Sequence, residues 1–127
     1  MARFNKYNNR KTVVDGFTFD SKAEALFYQH LKMLQKAGVV KSFSRQVEYV
    51  LVDKFKHPST GRVVRTMKYI PDFFVAYTNG KSEVIDVKGH QTAVFKLKAK
   101  LFMAKYQIPL TIVKYDYRRK EFTYEYF

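Results

Sequence analysis

The succession of helix- and strand-forming segments predicts an α/β fold, a central mixed β-sheet flanked by helices in the order α-β-β-β-α-β. Three observations predict it. Two segments, Ser21 to Gly38 and Thr92 to about Tyr106, carry apolar residues at helical spacing. Between and after them lie runs dominated by β-branched and aromatic residues, the composition of strands. The dipeptides Asp15-Gly16 and Asn79-Gly80 punctuate strand pairs where tight hairpin turns are expected.

Residues 1–11 are basic and asparagine-rich and carry Arg3, Lys6, Arg10 and Lys11. They read as an arm, either a disordered tail or a flexible phosphate-contacting segment. Residues 12–127 read as a single domain, a usual length for one core. Thr12 to Phe19 forms a small hairpin turning at Asp15-Gly16. The first helix opens with Ser21-x-x-Glu24, a capping-box spacing. It continues with Ala23, Phe27, Leu31 and Leu34 on one stripe and stops at Gly38.

Phe43 to Val52 reads as one strand containing Gln46 and Glu48, and Asp53 to Gly61 as a turn or mobile loop. Arg62 to Tyr77 is a long strand region broken by Pro71, because proline has no N–H to give a ladder. Val84 to Gly89 is the next strand, paired to its predecessor through Asn79-Gly80. Thr92 caps the second helix, with Val94, Leu97, Leu101 and Ala104 expected on the core side. Leu110 to Tyr115 and Phe122 to Phe127 are the last two strands, joined near Arg118-Arg119-Lys120.

The charge balance is 24 Lys+Arg against 11 Asp+Glu, formally +13, which favours a polyanionic partner, nucleic acid first and anionic membrane second. There is no cysteine, hence no disulfide or thiolate chemistry, consistent with a reducing cytoplasm. No apolar run reaches transmembrane length. The start of the chain lacks the apolar stretch of a signal peptide. His30, His57 and His90 lack zinc-like spacing, and no glycine pattern suggests a nucleotide site.

Against that basic background, two strings stand out: Tyr69-Ile70-Pro71-Asp72-Phe73 and Val84-Ile85-Asp86-Val87-Lys88-Gly89. Strand alternation puts Asp86 and Lys88 on one face and Ile85 and Val87 on the other. The hairpin brings Asp72 alongside Asp86. Two carboxylates on an apolar strand pair are expensive alone and much less so around a divalent cation. Such an arrangement suits metal-dependent hydrolysis.

Pro71-Asp72, a spacer, then Asp86-Val87-Lys88 resembles the PD-(D/E)xK nuclease motif. Together with the upstream helix acid in Ser21-Lys22-Ala23-Glu24 and the lysine-rich helix after Gly89, the chain from about Phe17 to Val113 is similar to phage Holliday-junction resolvases of the endonuclease I type. The resemblance implies a restriction-endonuclease-like core and a metal-dependent endodeoxyribonuclease acting on branched DNA such as four-way junctions. It also implies a homodimer and a location in the host cytoplasm if the chain is phage-encoded. Asp72, Asp86 and Glu24 would hold one or two Mg²⁺, with Mn²⁺ as substitute and the Val87 carbonyl as a further ligand. Glu24 can instead serve only its helix cap. Lys88 would orient water and stabilise developing charge, in preference to acting as a general base. In one respect the chain departs from that family, which usually has Glu where Asp86 stands.

Further residues are candidates for phosphate contact. Gln46 would act from a neighbouring strand, and His90 is either a contact or a plain loop residue. Lys96 and Lys100, four apart, form either a solvated face or a phosphate track. A dimer would place two sites on opposing strands, and the surplus of Phe and Tyr, including Tyr115, Tyr117, Tyr124 and Tyr126, offers interface material. A restriction-type, transposon-end or nicking enzyme on the same fold is the first alternative. A non-catalytic basic nucleic-acid-binding protein is the second.

Overall fold

The computed structural model describes residues 11–127. Arg3, Lys6 and Arg10 lie outside the described residues. The first elements are β1 (Thr12–Val14), β2 (Phe17–Phe19) and helix α1 (Lys22–Lys36). Strands β3 (Val40–Arg45), β4 (Tyr49–Val52), β5 (Phe55–Lys56), β6 (Val63–Val64), β7 (Met67–Tyr69), β8 (Phe73–Tyr77) and β9 (Ser82–Val87) follow. Helix α2 (Ala93–Tyr106), β10 (Leu110–Asp116) and β11 (Glu121–Tyr126) complete the chain.

The architecture is α/β with a mixed central sheet, as the pattern predicts. Five strands run in the order β11-β10-β9-β8-β3. β9 and β10 are parallel and the other neighbours antiparallel. A parallel pair needs a crossover, and α2 supplies it. One layer of core joins α1 to the sheet through Phe19, Phe27, Leu31, Phe73, Ile85 and Val113. A second layer on the opposite face joins α2, β4 and β7 to it through Tyr69, Val84, Phe95, Phe102 and Ile112.

The turns follow their residues. Asp15 and Gly16 both take positive φ (52° and 78°), the requirement of the tightest hairpin turn. Gly80 takes φ 86° in the β8–β9 turn, where the Asn79 side chain accepts the Lys81 N–H (2.9 Å). Ser21 caps α1 by accepting the Glu24 N–H at 3.1 Å, and Thr92 caps α2 by accepting that of Phe95 at 3.1 Å.

Three expectations need correction. Phe43 to Val52 is not one strand: at Gln46 the chain takes φ 52° and its N–H donates to the Asp72 carbonyl (3.1 Å), so β3 ends and β4 leaves the sheet. Gln46 is therefore an exposed bend residue, not a strand residue. Asp53 to Gly61 is not a loop throughout; β4 pairs with β7, and β5 pairs with β6 beyond them, as a two-stranded ribbon. Finally, α2 is rotated from its expected orientation. Phe95, Ala99 and Phe102 are buried, whereas Val94 and Leu97 are more than half exposed and Ala104 is exposed. The helix is apolar on more than one side, and the face with two phenylalanines removes more surface from water.

This orientation fixes an expected contrast in stability. Phe102→Ala should cost about 3–5 kcal/mol through the cavity it leaves. Leu97→Ala should stay within about 0.5 kcal/mol, the range of surface substitutions. Urea denaturation of both variants checks the orientation, and equal losses would reverse it.

Candidate active site

Pro71 has no N–H for the ladder and lies between β7 and β8, where the chain bends. Beyond the bend the β8–β9 register pairs Phe73 with Ile85, which sets Asp72 next to Asp86. The Asp72 N–H donates to Asp86 Oδ1 at 2.9 Å, and the Val87 N–H donates to Asp72 Oδ2 at 2.8 Å. Each aspartate thus receives a main-chain donor from the other's strand.

Asp86 is 2% exposed. Its second oxygen, Oδ2, accepts the hydroxyl of Tyr69 from β7. Burial and the Asp86 charge push that phenol far above its ordinary value, so Tyr69 remains a donor at any working pH. Tyr69 is the site residue that reasoning from the sequence did not assign, although it opens the same string as Asp72. Its signal is an aromatic hydroxyl three residues before the acid, on a strand with its ring toward the core.

The third carboxylate comes from the first turn of α1. Glu24 is 4% exposed, and its Oε2 accepts the Asp20 N–H at 3.2 Å. The expected capping-box partner was the Ser21 N–H; the acceptor serves Asp20 instead. Glu24 lies beside Asp72 on the same cavity. Burial pushes the Asp72 carboxyl well above the usual carboxylate range. The negative charges of Asp86 and Glu24, and a hydrogen bond with the Glu24 carboxyl, push the same way, while the Val87 N–H pulls it down.

These groups border a cavity of about 470 Å³ lined by Glu24, Asp72, Val87, Lys88, Ser21 and His90, among others. Lys11, the last residue of the basic arm, lies on its rim. Asp86 is not in the lining: it stands behind Asp72. The Lys88 ammonium rests 4.8 Å from the Phe95 ring centroid, so an apolar surface supports its approach to the cavity. Of the further candidates, His90 is on the cavity wall, whereas exposed Gln46, Lys96 and Lys100 do not line it.

Among the described residues no three His, Cys, Asp or Glu side chains form a ready cage for a metal ion. The donor set nevertheless fits Mg²⁺, which commonly takes one or two carboxylates and completes its shell with water and phosphate oxygens. Glu24 and Asp72 are the two carboxylates that face the cavity.

The chain belongs to DUF1064, a family described as a protein of unknown function, whose profile matches residues 4–127. No curated protein matches the sequence. Among solved structures, that of SSO0001 is similar, with 18% identity and a TM-score of 0.43 over 79% of this chain and 48% of that one. This chain thus spans about half the length of that protein. Among the described residues, no helix is long and apolar enough to cross a membrane.

Two outcomes follow from the carboxylate cluster. Asp72 keeps its proton to a higher pH in the fold than in the unfolded chain. The stability linked to it is therefore full below the ordinary carboxylate pKa and lost as pH rises through the elevated one. In EDTA, Asp72→Asn should melt progressively higher than wild type as pH climbs through that window; parallel curves would contradict the raised pKa. Tyr69→Phe should cost about 1.5–3 kcal/mol in urea titrations, the scale of a hydrogen bond to a buried charge.

Proposed function

We propose that the protein is a metal-dependent endodeoxyribonuclease that hydrolyses phosphodiester bonds in branched DNA. The observation that carries this reading is the gathering of Glu24, Asp72 and Asp86 beside one cavity, with Asp72 driven toward its protonated form. In a chain of net charge +13, a buried acid with a second acid on each side is a costly arrangement. A divalent cation relieves the repulsion that otherwise has to be relieved by a proton. The same cation lets anionic phosphate approach a carboxylate wall.

The proposed fold is a restriction-endonuclease-like core. It rests on a β8–β9 hairpin carrying the two aspartates, an α1 first turn carrying the third acid, and a lysine-rich crossover helix just after Lys88.

In this reading Glu24 and Asp72 hold Mg²⁺ or Mn²⁺, and Val87, whose carbonyl is the further ligand, lines the same cavity. When bound, the cation supplies Lewis acidity at the scissile phosphate and lowers the pKa of water. Asp86 orients Asp72 by accepting its N–H, and Tyr69 holds Asp86 in place. Lys88 donates to a non-bridging oxygen as charge develops on the phosphorus centre. His90 and Lys11, at the rim, meet flanking phosphates, and Lys96 and Lys100 on exposed α2 extend the basic surface.

Two symmetric cuts need two sites, so a homodimer is part of the proposal. Exposed Tyr124 and Tyr126 on the edge strand β11 offer it a surface, while Tyr115 packs at home against Tyr117 and Phe122. The nicking or restriction-type reading uses the same residues and differs in the DNA it takes.

The decisive experiment incubates the protein with a four-way junction, a linear duplex and single-stranded DNA, each in Mg²⁺ and in EDTA. We expect Mg²⁺-dependent cleavage, strongest on the junction. Asp72→Asn and Asp86→Asn should each lower it by about a hundredfold or more, the scale of lost electrostatic stabilisation. Glu24→Gln keeps the reach to the Asp20 N–H but loses the charge, and should also be impaired. Cleavage in EDTA, or full activity in all three variants, would refute the assignment.

A further inference from the structure

Apart from Tyr69, the ribbon formed by β4–β7 and β5–β6 takes no part in the site described above, and its outer half is exposed. Its base is fastened: Leu51 and Tyr69 sit in the core, and the Val50 carbonyl accepts from both the Lys105 ammonium (2.9 Å) and the Tyr106 hydroxyl (2.7 Å). From Val52 to Val63 every residue is exposed. The tip is nonetheless built. The His57 N–H donates to the Arg62 carbonyl (2.7 Å), the Gly61 N–H to the His57 carbonyl (2.9 Å), and His57 Nδ1 accepts from Ser59 and Thr60.

An isolated hairpin is marginal in water, so a projecting ordered one invites an external partner. Its chemistry says which kind. Residues 53–65 carry Lys54, Lys56, Arg62 and Arg65 against Asp53 alone. Among the described residues, the recorded ion pairs join Lys32 to Asp15, Lys68 to Glu48 and Lys114 to Glu125, and leave these four out. The pairing Phe55–Val64 and Lys56–Val63 puts an apolar side chain on each face, with Phe55 47% and Val63 63% exposed. Each side of the ribbon thus carries two exposed cations, Lys54 and Lys56 on the outgoing chain and Arg62 and Arg65 on the returning one, next to an exposed apolar side chain, a mixture that suits phosphates flanking base edges in a groove.

We infer that the ribbon 49–69 is a DNA-binding finger that seats in the major groove of a duplex flanking the cleavage point. This rests on the nuclease reading and names where its substrate is held. Two strands about 4.8 Å apart, with their side chains, suit a groove about 12 Å wide. The finger is joined to the site by one strand, since β7 ends in Tyr69, the donor to Asp86. From Tyr69 back to Val63 the six residues can span at most roughly 20 Å. At about 3.4 Å per base pair this bounds the duplex held by the ribbon to within about six base pairs of the site.

The test measures binding of the full chain to a labelled duplex by anisotropy across a salt series, with Ca²⁺ in place of Mg²⁺. The variant Lys54→Ala/Lys56→Ala/Arg62→Ala/Arg65→Ala should make the slope of log K against log salt shallower by about three to four units. Its circular dichroism should match wild type because all four side chains are exposed. A control variant with Lys22, Lys36, Lys41 and Lys81 changed to Ala should keep the wild-type slope within about one unit. A major-groove dye should compete with wild type, and a minor-groove dye should not. An unchanged slope in the ribbon variant, an equal fall in the control, or competition by the minor-groove dye alone would overturn the finger while leaving the nuclease reading intact. Binding of wild type to phosphatidylserine vesicles but not to duplex would overturn both. Absence of cleavage by wild type on every substrate, with the salt slopes as expected, would overturn the nuclease reading and leave the ribbon a DNA-binding element without a cleavage point.

Discussion

A carboxylate withdrawn from water must have its oxygens satisfied, and the arrangement around Asp86 is the solution this chain adopts. One oxygen takes the Asp72 N–H and the other the Tyr69 hydroxyl. The two donors stand on either side of Pro71, so satisfying Asp86 holds the bend in place. The bend in turn decides where Asp72 points. Released from the ladder, Asp72 accepts the Val87 N–H and meets Glu24 from α1. The sheet, the ribbon and the first helix are therefore tied together through one buried negative charge.

That arrangement accounts for a division of labour among the acids. Asp86 has one bond on each oxygen and does not line the cavity, so in the proposed reaction it orients Asp72. Glu24 and Asp72 face the cavity, and the repulsion between them is what burial leaves uncompensated. A carboxyl forced toward protonation is a common mark of a site built for another positive charge. Structural clusters of acids produce the same shift; the nuclease proposal rests on the basic surroundings and the adjoining Lys88 to tell the two apart.

Much of this was legible in the sequence where local rules dominate. Ser21 and Thr92 cap the helices they were expected to cap, and Asp15-Gly16 and Asn79-Gly80 turn where their φ preferences allow. The pairing of Asp72 with Asp86 also followed from a turn and a register. What could not be read depends on contacts distant in sequence. Gln46 adopts a left-handed conformation because the Asp72 carbonyl, twenty-six residues on, takes its N–H. The α2 face is chosen by what β4 and β7 present to it, since Val94-x-x-Leu97 and Phe95-x-x-x-Ala99 are both plausible stripes. Tyr69 looked like ordinary strand composition, because only the fold brings its hydroxyl to a buried acid.

The place of Asp86 also bears on its length. An acid one methylene longer at this position would move its oxygens, and the Asp72 N–H and the Tyr69 hydroxyl would have to follow or lose their acceptor. Aspartate is short enough to stay behind the wall with both donors engaged. Glu24, the longer acid, does the reaching, from a helix turn held by the Ser21 cap and the Asp20 N–H. The short acid on the strand and the long acid on the helix are thus complementary, and exchanging their lengths would disturb both the buried hydrogen bonds and the cavity wall.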